Sequence, residues 1–153
     1  MIKNILLKLK ENITEREAEI LAWIIASEGC ISLTKSRNPK ARLGFLFRTT
    51  IQIANTEHDF VKKTCTMLGK PLTNFTILDK NRKPVYTIAI RKHKEVIFLL
   101  EKIIPFLPIK VERALLLKEF CISRSKKSKH SPYSQRELEI FEELKRLNKR
   151  GLH

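Results

Sequence analysis

Only three cysteines occur in the 153 residues, Cys30, Cys65 and Cys121, and none stands in a CxxC pair. An odd count at such wide spacing argues against a disulfide framework and against a structural zinc site. Three buried free thiols in a reducing compartment are expected instead. No run of about 18 apolar residues occurs, so no membrane-spanning helix is expected. The opening segment, Met1 to Asn12, alternates apolar residues with lysines and lacks a small-residue cleavage site, so no secretory signal is read there.

Acidic residues are also scarce. Asp and Glu total 16 against 31 Lys and Arg, a formal net charge of +15. A merely soluble basic protein or a ribosomal component would share that balance. Its most direct use is to meet a polyanion, because neutralising phosphates releases condensed counterions and drives association. Hydrophobic residues make up 42%, the globular range, so this is not a disordered basic tail. The length suits one domain over residues 1–153 with a core of its own.

Five segments carry helix signals. Thr14-Glu15-Arg16-Glu17 reads as a capping box; the apolar positions Leu21, Ile24 and Ile25 follow at helical spacing, and Gly29 ends the run. A second helix is expected from Thr56, with Asp59 three residues on, to Gly69. Others are expected from Lys94 to Ile104, from Val111 to Cys121, and from the capping box Ser134-Gln135-Arg136-Glu137 to about Lys149. Strand patterns fill the gaps at Cys30–Lys35, Leu46–Ala54, Leu72–Leu78 and Val85–Arg91, the last two flanking a polar connection over residues 79–84. The order αββαββα, then further helices, predicts an α+β fold with a mostly antiparallel four-stranded sheet covered by helices on one face.

Alternation places Phe47, Thr49, Ile51 and Ile53 on one side of the second strand and Leu46, Arg48, Thr50 and Gln52 on the other. Extended over the sheet, the uncovered face should carry Ser32, Thr34, Ser36, Arg48, Thr50, Gln52, Asn74, Thr76, Thr87 and Arg91. A solvated sheet face is commonly polar, but it normally includes Glu and Asp, and here there is no carboxylate. Side chains of these types read base edges in a DNA major groove, which admits a two-stranded ribbon.

The sharpest local signal is Leu21-Ala22-Trp23-Ile24-Ile25-Ala26-Ser27-Glu28-Gly29. Glu28 stands near a helix C-terminus, where a negative charge opposes the macrodipole, an odd place for a structural residue. Downstream come Thr50-Ile51-Gln52-Ile53-Ala54-Asn55 and Phe98-Leu99-Leu100-Glu101-Lys102-Ile103-Ile104-Pro105-Phe106-Leu107-Pro108-Ile109-Lys110. Together, and in this element order, these segments resemble the single-motif LAGLIDADG homing endonucleases from about residue 14 to 123, leaving a C-terminal helical extension of about 124–153.

The resemblance implies a site-specific double-strand DNA endonuclease of the intron-homing kind, and a C2 homodimer on a long, roughly palindromic target. Leu21, Ala22, Trp23, Ile24 and Ser27 would lie at the dimer interface. By the same resemblance Glu28 is the catalytic, metal-holding carboxylate, Asn55 organises metal or water, and Lys110 stabilises the reacting phosphate. Mg²⁺ is the implied ion, with Mn²⁺ able to substitute and Ca²⁺ binding without supporting cleavage, and no small-molecule organic cofactor is implied. The expected location is intracellular, in the cytoplasm with the nucleoid, with an organellar origin left open.

This sequence departs from the family pattern in carrying Trp23 where the motif normally has Gly, Ala26 where it often has Asp, and Glu rather than Asp at position 28. An arginine usual early in the second helix has no match near His58. The basic residues Lys80, Arg82 and Lys83 at the hairpin tip are expected to meet backbone phosphate, as is the stretch Arg124, Lys126, Lys127, Lys129 and His130. An apolar stripe, Leu138, Phe141, Leu144 and Leu147, should pack on the body of the domain. The four histidines form neither HxxxH nor a His-Asn-His nuclease pattern and receive no role. Competing readings are a non-cleaving nucleic-acid binder on the same fold (an RNA maturase or regulator) and a basic RNA-associated structural protein.

Overall fold

A computed structural model describes residues 9–149. Residues 1–8 of the segment read as carrying no secretory signal, and residues 150–153, lie outside the described residues. No helix among the described residues is long and apolar enough to cross a membrane.

The first helix, α1 (Glu15–Glu28), begins at the expected capping box: Thr14 Oγ1 accepts from the Glu17 N–H and the Glu17 carboxylate accepts from the Thr14 N–H. Its buried stripe is Ala18, Leu21, Ala22, Ile25 and Ala26. Gly29 ends it, though not as a left-handed cap. Its backbone is extended, and a Cβ there would stand 2.7 Å from the Ile25 carbonyl oxygen. The missing side chain lets α1 pass without a loop into β1 (Gly29–Arg37).

β1 pairs antiparallel with β2 (Phe45–Asn55), from Gly29 opposite Ile53 to Arg37 opposite Phe45. A turn through Asn55 leads to α2 (His58–Leu68), which starts two residues later than expected. Glu57 is its N-cap without a side-chain bond, and Thr56 caps nothing. The sheet continues with β3 (Asn74–Thr76) and β4 (Val85–Ile90), in the order β1-β2-β4-β3 and antiparallel throughout. β3 covers three residues rather than the expected Leu72–Leu78. It lies at the sheet edge with all three residues exposed, so only β4 holds it.

Then come α3 (His93–Ile103), a single 3-10 turn (Ile104–Phe106), α4 (Val111–Ser125) and α5 (Gln135–Leu147). Inward residues of the helices and of the covered sheet face form one core; Leu21, Ile25, Ile51, Ile90, Leu99 and Leu117 are almost wholly enclosed. The mixed α+β architecture and the four-stranded sheet are those expected from the alternation of periods.

The C-terminal part is built into this core. Phe141 stacks on Phe47, centroids 4.5 Å apart, and Tyr133 Oη accepts from the Phe47 N–H at 2.9 Å where β4 no longer borders β2. Phe141 and Leu144 of the expected stripe are buried, together with Ile140, which that stripe did not include. The expectation for the basic stretch needs correcting at Arg124. Arg124 is buried, ion-paired with Glu137 at 3.2 Å and stacked over Tyr133, and Lys127 also pairs with Glu137. Arg124 is therefore not free for phosphate, whereas Lys127, although paired, stays exposed. Lys126, Lys129 and His130 are exposed.

Candidate nucleic-acid interface and catalytic carboxylate

Strand alternation divides the sheet into two chemically distinct faces. Phe47, Thr49, Ile51 and Ile53 are buried beneath the helices. The one polar group among them is satisfied, since Thr49 Oγ1 donates to the Arg91 carbonyl at 2.8 Å. The register then aligns the open face in rows: Ser36 beside Leu46, Thr34 beside Arg48, Ser32 beside Thr50, Cys30 beside Gln52. Across the next pairing Gln52 faces Ala89 and Ala54 faces Thr87, and Asn74 lies beyond Thr87, with Thr76 opposite Val85. Arg91 stands one residue past β4, exposed.

All ten polar residues expected on this face are half-buried or exposed. Among the described residues none of their side chains makes a hydrogen bond or ion pair. Buried polar groups are normally satisfied internally; these are left for solvent or a ligand. No carboxylate interrupts the face. Lys80 and Arg82 are exposed beyond β3, in a turn where Asp79 accepts the Asn81 and Arg82 N–H groups, and Lys83 makes only an exposed pair with Glu57 at 3.6 Å.

At the head of this face the end of α1 meets the start of α4. Lys110 is the one non-glycine with positive φ among the described residues, at 68°. A left-handed lysine costs about 1–3 kcal/mol of backbone strain. The conformation sends its side chain to α1, where Nζ donates to the carbonyls of Gly29 at 2.8 Å and Ile25 at 3.4 Å. An ammonium group therefore caps the negative end of the helix that carries Glu28, offsetting the macrodipole that a carboxylate there opposes. Burial pulls the Lys110 pKa down, and the nearby Arg113 adds to this, while Cys30 and Glu28 oppose it. Glu28 itself is exposed, and its carboxylate makes no hydrogen bond or ion pair among the described residues.

Asn55 ends β2 on the helix-covered side, and its Oδ1 accepts from the Glu57 N–H at 2.9 Å, bracing the turn into α2. Its amide NH₂ has no acceptor among the described residues.

The expected interface set on α1 divides. Trp23 is 58% exposed, with Ile20, Ile24 and Ser27 beside it in a shallow groove flanked by Arg16 and Glu19. Leu21 and Ala22, also expected there, are fully buried in the chain's own core and have no surface to offer a partner. At about 100° per residue, positions 20, 23 and 27 share the outward face and 21, 22 and 25 the inward one.

The cysteine expectation holds for Cys65 and Cys121, which are buried, and fails for Cys30, which is exposed on the open face. The signal was its even spacing with Ser32 and Thr34. Burial raises both internal thiols, Cys121 to about 12. Since the thiolate is the reacting form, one thiol per chain should titrate with a disulfide reagent in the native state and three in denaturant. Three reacting natively would contradict this burial. Ala54 and Val85, apolar members of the open face, and Arg113 beside Lys110 were also unanticipated. Arg113 Nη2 donates to the Leu147 carbonyl at 2.6 Å, joining α4 to the end of α5.

No family model matches the chain, and no curated protein matches it. Solved structures do. An archaeal intron-encoded homing endonuclease, I-Vdi141I, complexed with DNA, superposes with a TM-score of 0.71 over 89% of this chain and 86% of that one, at 16% identity. The LAGLIDADG homing endonuclease I-SmaMI, bound to cleaved DNA, gives a TM-score of 0.63 at 19% identity over 90% of this chain and 45% of that one. The homing endonuclease I-CvuI, bound to its target in the presence of calcium, gives 0.56 at 16% identity over 86% of this chain and 96% of that one. The chain has the LAGLIDADG homing-endonuclease fold.

Proposed function

We propose that this chain is a metal-dependent, site-specific DNA endonuclease that acts as a homodimer on a roughly palindromic target. The observation that carries the reading is the junction of α1 and α4. An unpaired carboxylate, Glu28, and a cation, Lys110, held by the same helix end, stand at the head of a carboxylate-free sheet face whose polar groups are unused. That combination suits a phosphodiester: the face meets the duplex, and the junction meets the phosphate at its edge. The structural neighbours, themselves homing endonucleases in complexes with DNA, support it at the level of the fold.

Among the described residues no three His, Cys, Asp or Glu side chains gather where they could hold an ion. One exposed carboxylate fits a hard, oxygen-preferring ion such as Mg²⁺ when DNA phosphates and the same glutamate of a second copy complete the shell. When bound, such an ion supplies Lewis-acid stabilisation of the phosphate and a more acidic water; Mn²⁺ would substitute, and Ca²⁺ would bind without supporting cleavage. Lys110 keeps a third N–H free of its two carbonyl bonds and directs positive charge at the phosphate. Asn55, whose amide hydrogens have no acceptor among the described residues, would organise metal or water as the resemblance implies. The exposed face of α1, with Trp23 at its centre, supplies the dimer contact.

Two measurements test the reading. Randomised duplex DNA is incubated with the protein in Mg²⁺ or Ca²⁺ and the cut ends are sequenced. Discrete two-fold symmetric cuts in Mg²⁺ alone are expected; selective binding without cuts under every metal would favour a non-cleaving binder. Sedimentation should give a dimer that Trp23→Glu converts to monomer, and a monomeric wild type would remove the homodimer from the proposal.

A further inference from the structure

The open face holds two kinds of polar side chain. Serine and threonine hydroxyls bond to either base and specify weakly, whereas Arg and Gln make two-point contacts that name one base: guanine through O6 and N7, adenine through N6 and N7. On β2 these two readers are Gln52 and Arg48, separated by Thr50 on the same face.

Their neighbours decide whether they are free. Gln52 lies between Cys30 on β1 and Ala89 on β4, both short. Nothing competes for its amide, and two small apolar surfaces flank it where a thymine methyl would sit. Arg48 is exposed beside Thr34, and no carboxylate among the described residues pairs with it.

The strand fixes the order and the spacing. Gln52 is nearer Glu28, because Cys30, its partner across the ladder, is two residues beyond that carboxylate. Arg48 lies four residues further out, towards the β1–β2 turn. At about 3.4 Å per residue this is about 14 Å, the length of about four base pairs of B-DNA. Asn74, on β3 beyond Thr87, and Arg91, one residue past β4, are also capable of two-point contacts and would read positions of their own.

We infer that each half-site contains an adenine read by Gln52 on the side nearer the scissile phosphate and, about four base pairs further out, a guanine read by Arg48. This rests on the reading of the open face as the DNA surface and specifies the substrate that reading leaves open.

The test is binding selection from randomised duplex DNA in Ca²⁺, so that cleavage does not enter, with the wild type and three open-face variants. The wild type should enrich an inner A·T and an outer G·C pair at that spacing. Gln52→Ala should lose preference at the inner position alone and Arg48→Ala at the outer alone, each about tenfold. Gln52→Arg should move the inner preference to guanine, a gain that damaged folding cannot imitate. Enrichment of other bases, preferences unchanged in the variants, loss spread evenly over all positions, or no enrichment would each overturn the assignment. Cutting of the same pool in Mg²⁺ is scored separately: cuts without this base pattern leave the endonuclease standing and remove only the code.

Discussion

Replacing Glu28 by Gln should leave the chain folded and bound to duplex DNA while lowering cleavage about a thousandfold or more. The expected loss follows from the several kcal/mol that a correctly held divalent ion contributes to the transition state, at 1.36 kcal/mol for each factor of ten. The amide keeps the size of the side chain and one oxygen, so the change removes charge and little else. The stability prediction separates this from structural damage. Glu28 is exposed and unpaired at a helix C-terminus, where a carboxylate is unfavourable by about 0.3–1 kcal/mol. Glu28→Gln should therefore melt at the same temperature as the wild type or slightly above it. Lys110→Met should behave differently, losing stability as well as cleavage, because the ammonium also caps the carbonyls of Ile25 and Gly29. Cleavage retained within tenfold in the glutamine variant would remove Glu28 from the chemistry, and a large drop in melting temperature would recast it as structural.

Much of this arrangement could be read from sequence because it is local. Both capping boxes, at Thr14 and Ser134, are decided within four residues and are present as expected. The alternation in β2 placed Arg48, Thr50 and Gln52 opposite Phe47, Thr49 and Ile51, and the observed burial follows it residue by residue. What could not be read depends on partners far along the chain. Lys110 gives no sign in its own neighbourhood that it adopts positive φ to reach the Gly29 carbonyl, just past α1 and 81 residues away. Leu21 and Ala22 carry the motif's spelling, but which side of α1 faces the core is decided by the sheet and α3. Arg124 sits in a run of cations that reads as a solvated or phosphate-binding loop. Only the folded chain shows it turned inward, because its counter-charge lies thirteen residues on, inside a capping box. Cys30 was assigned by residue type, since free cysteines are usually buried, when its place in the alternation put it outside.

That inward turn makes Glu137→Ala the substitution with the largest expected effect on stability, about 3–5 kcal/mol, the usual cost of stranding one partner of a buried pair. Glu137 is wholly enclosed. Its Oε1 accepts from the Ser134 N–H at 2.8 Å and Arg124 Nη1 at 3.2 Å, and its Oε2 accepts from Ser123 Oγ at 2.7 Å and Lys127 Nζ at 3.2 Å. Burial alone would raise the carboxyl pKa. The Ser134 N–H, then Ser123, Lys127 and Arg124, outweigh it and hold the pKa below the ordinary value. A depressed folded pKa stabilises the fold fully above the unfolded value, about 4.3, and this contribution fades as pH falls through the lower folded one. The deficit of Glu137→Ala relative to wild type, measured by denaturant unfolding, should therefore be widest near neutrality and shrink in acid. Arg124→Met should cost a similar amount, whereas the double replacement Arg124→Met with Glu137→Met should recover part of the loss, because no buried charge is then left unmatched. A deficit below about 1 kcal/mol, or one that grows in acid, would show that the network is not what fixes α5 to the sheet. The consequence reaches the open face, since α5 and Tyr133 hold the end of β2 through Phe47. If that face reads DNA as proposed, loosening them should weaken binding at the outer positions, assigned above to Arg48, before it affects the inner ones.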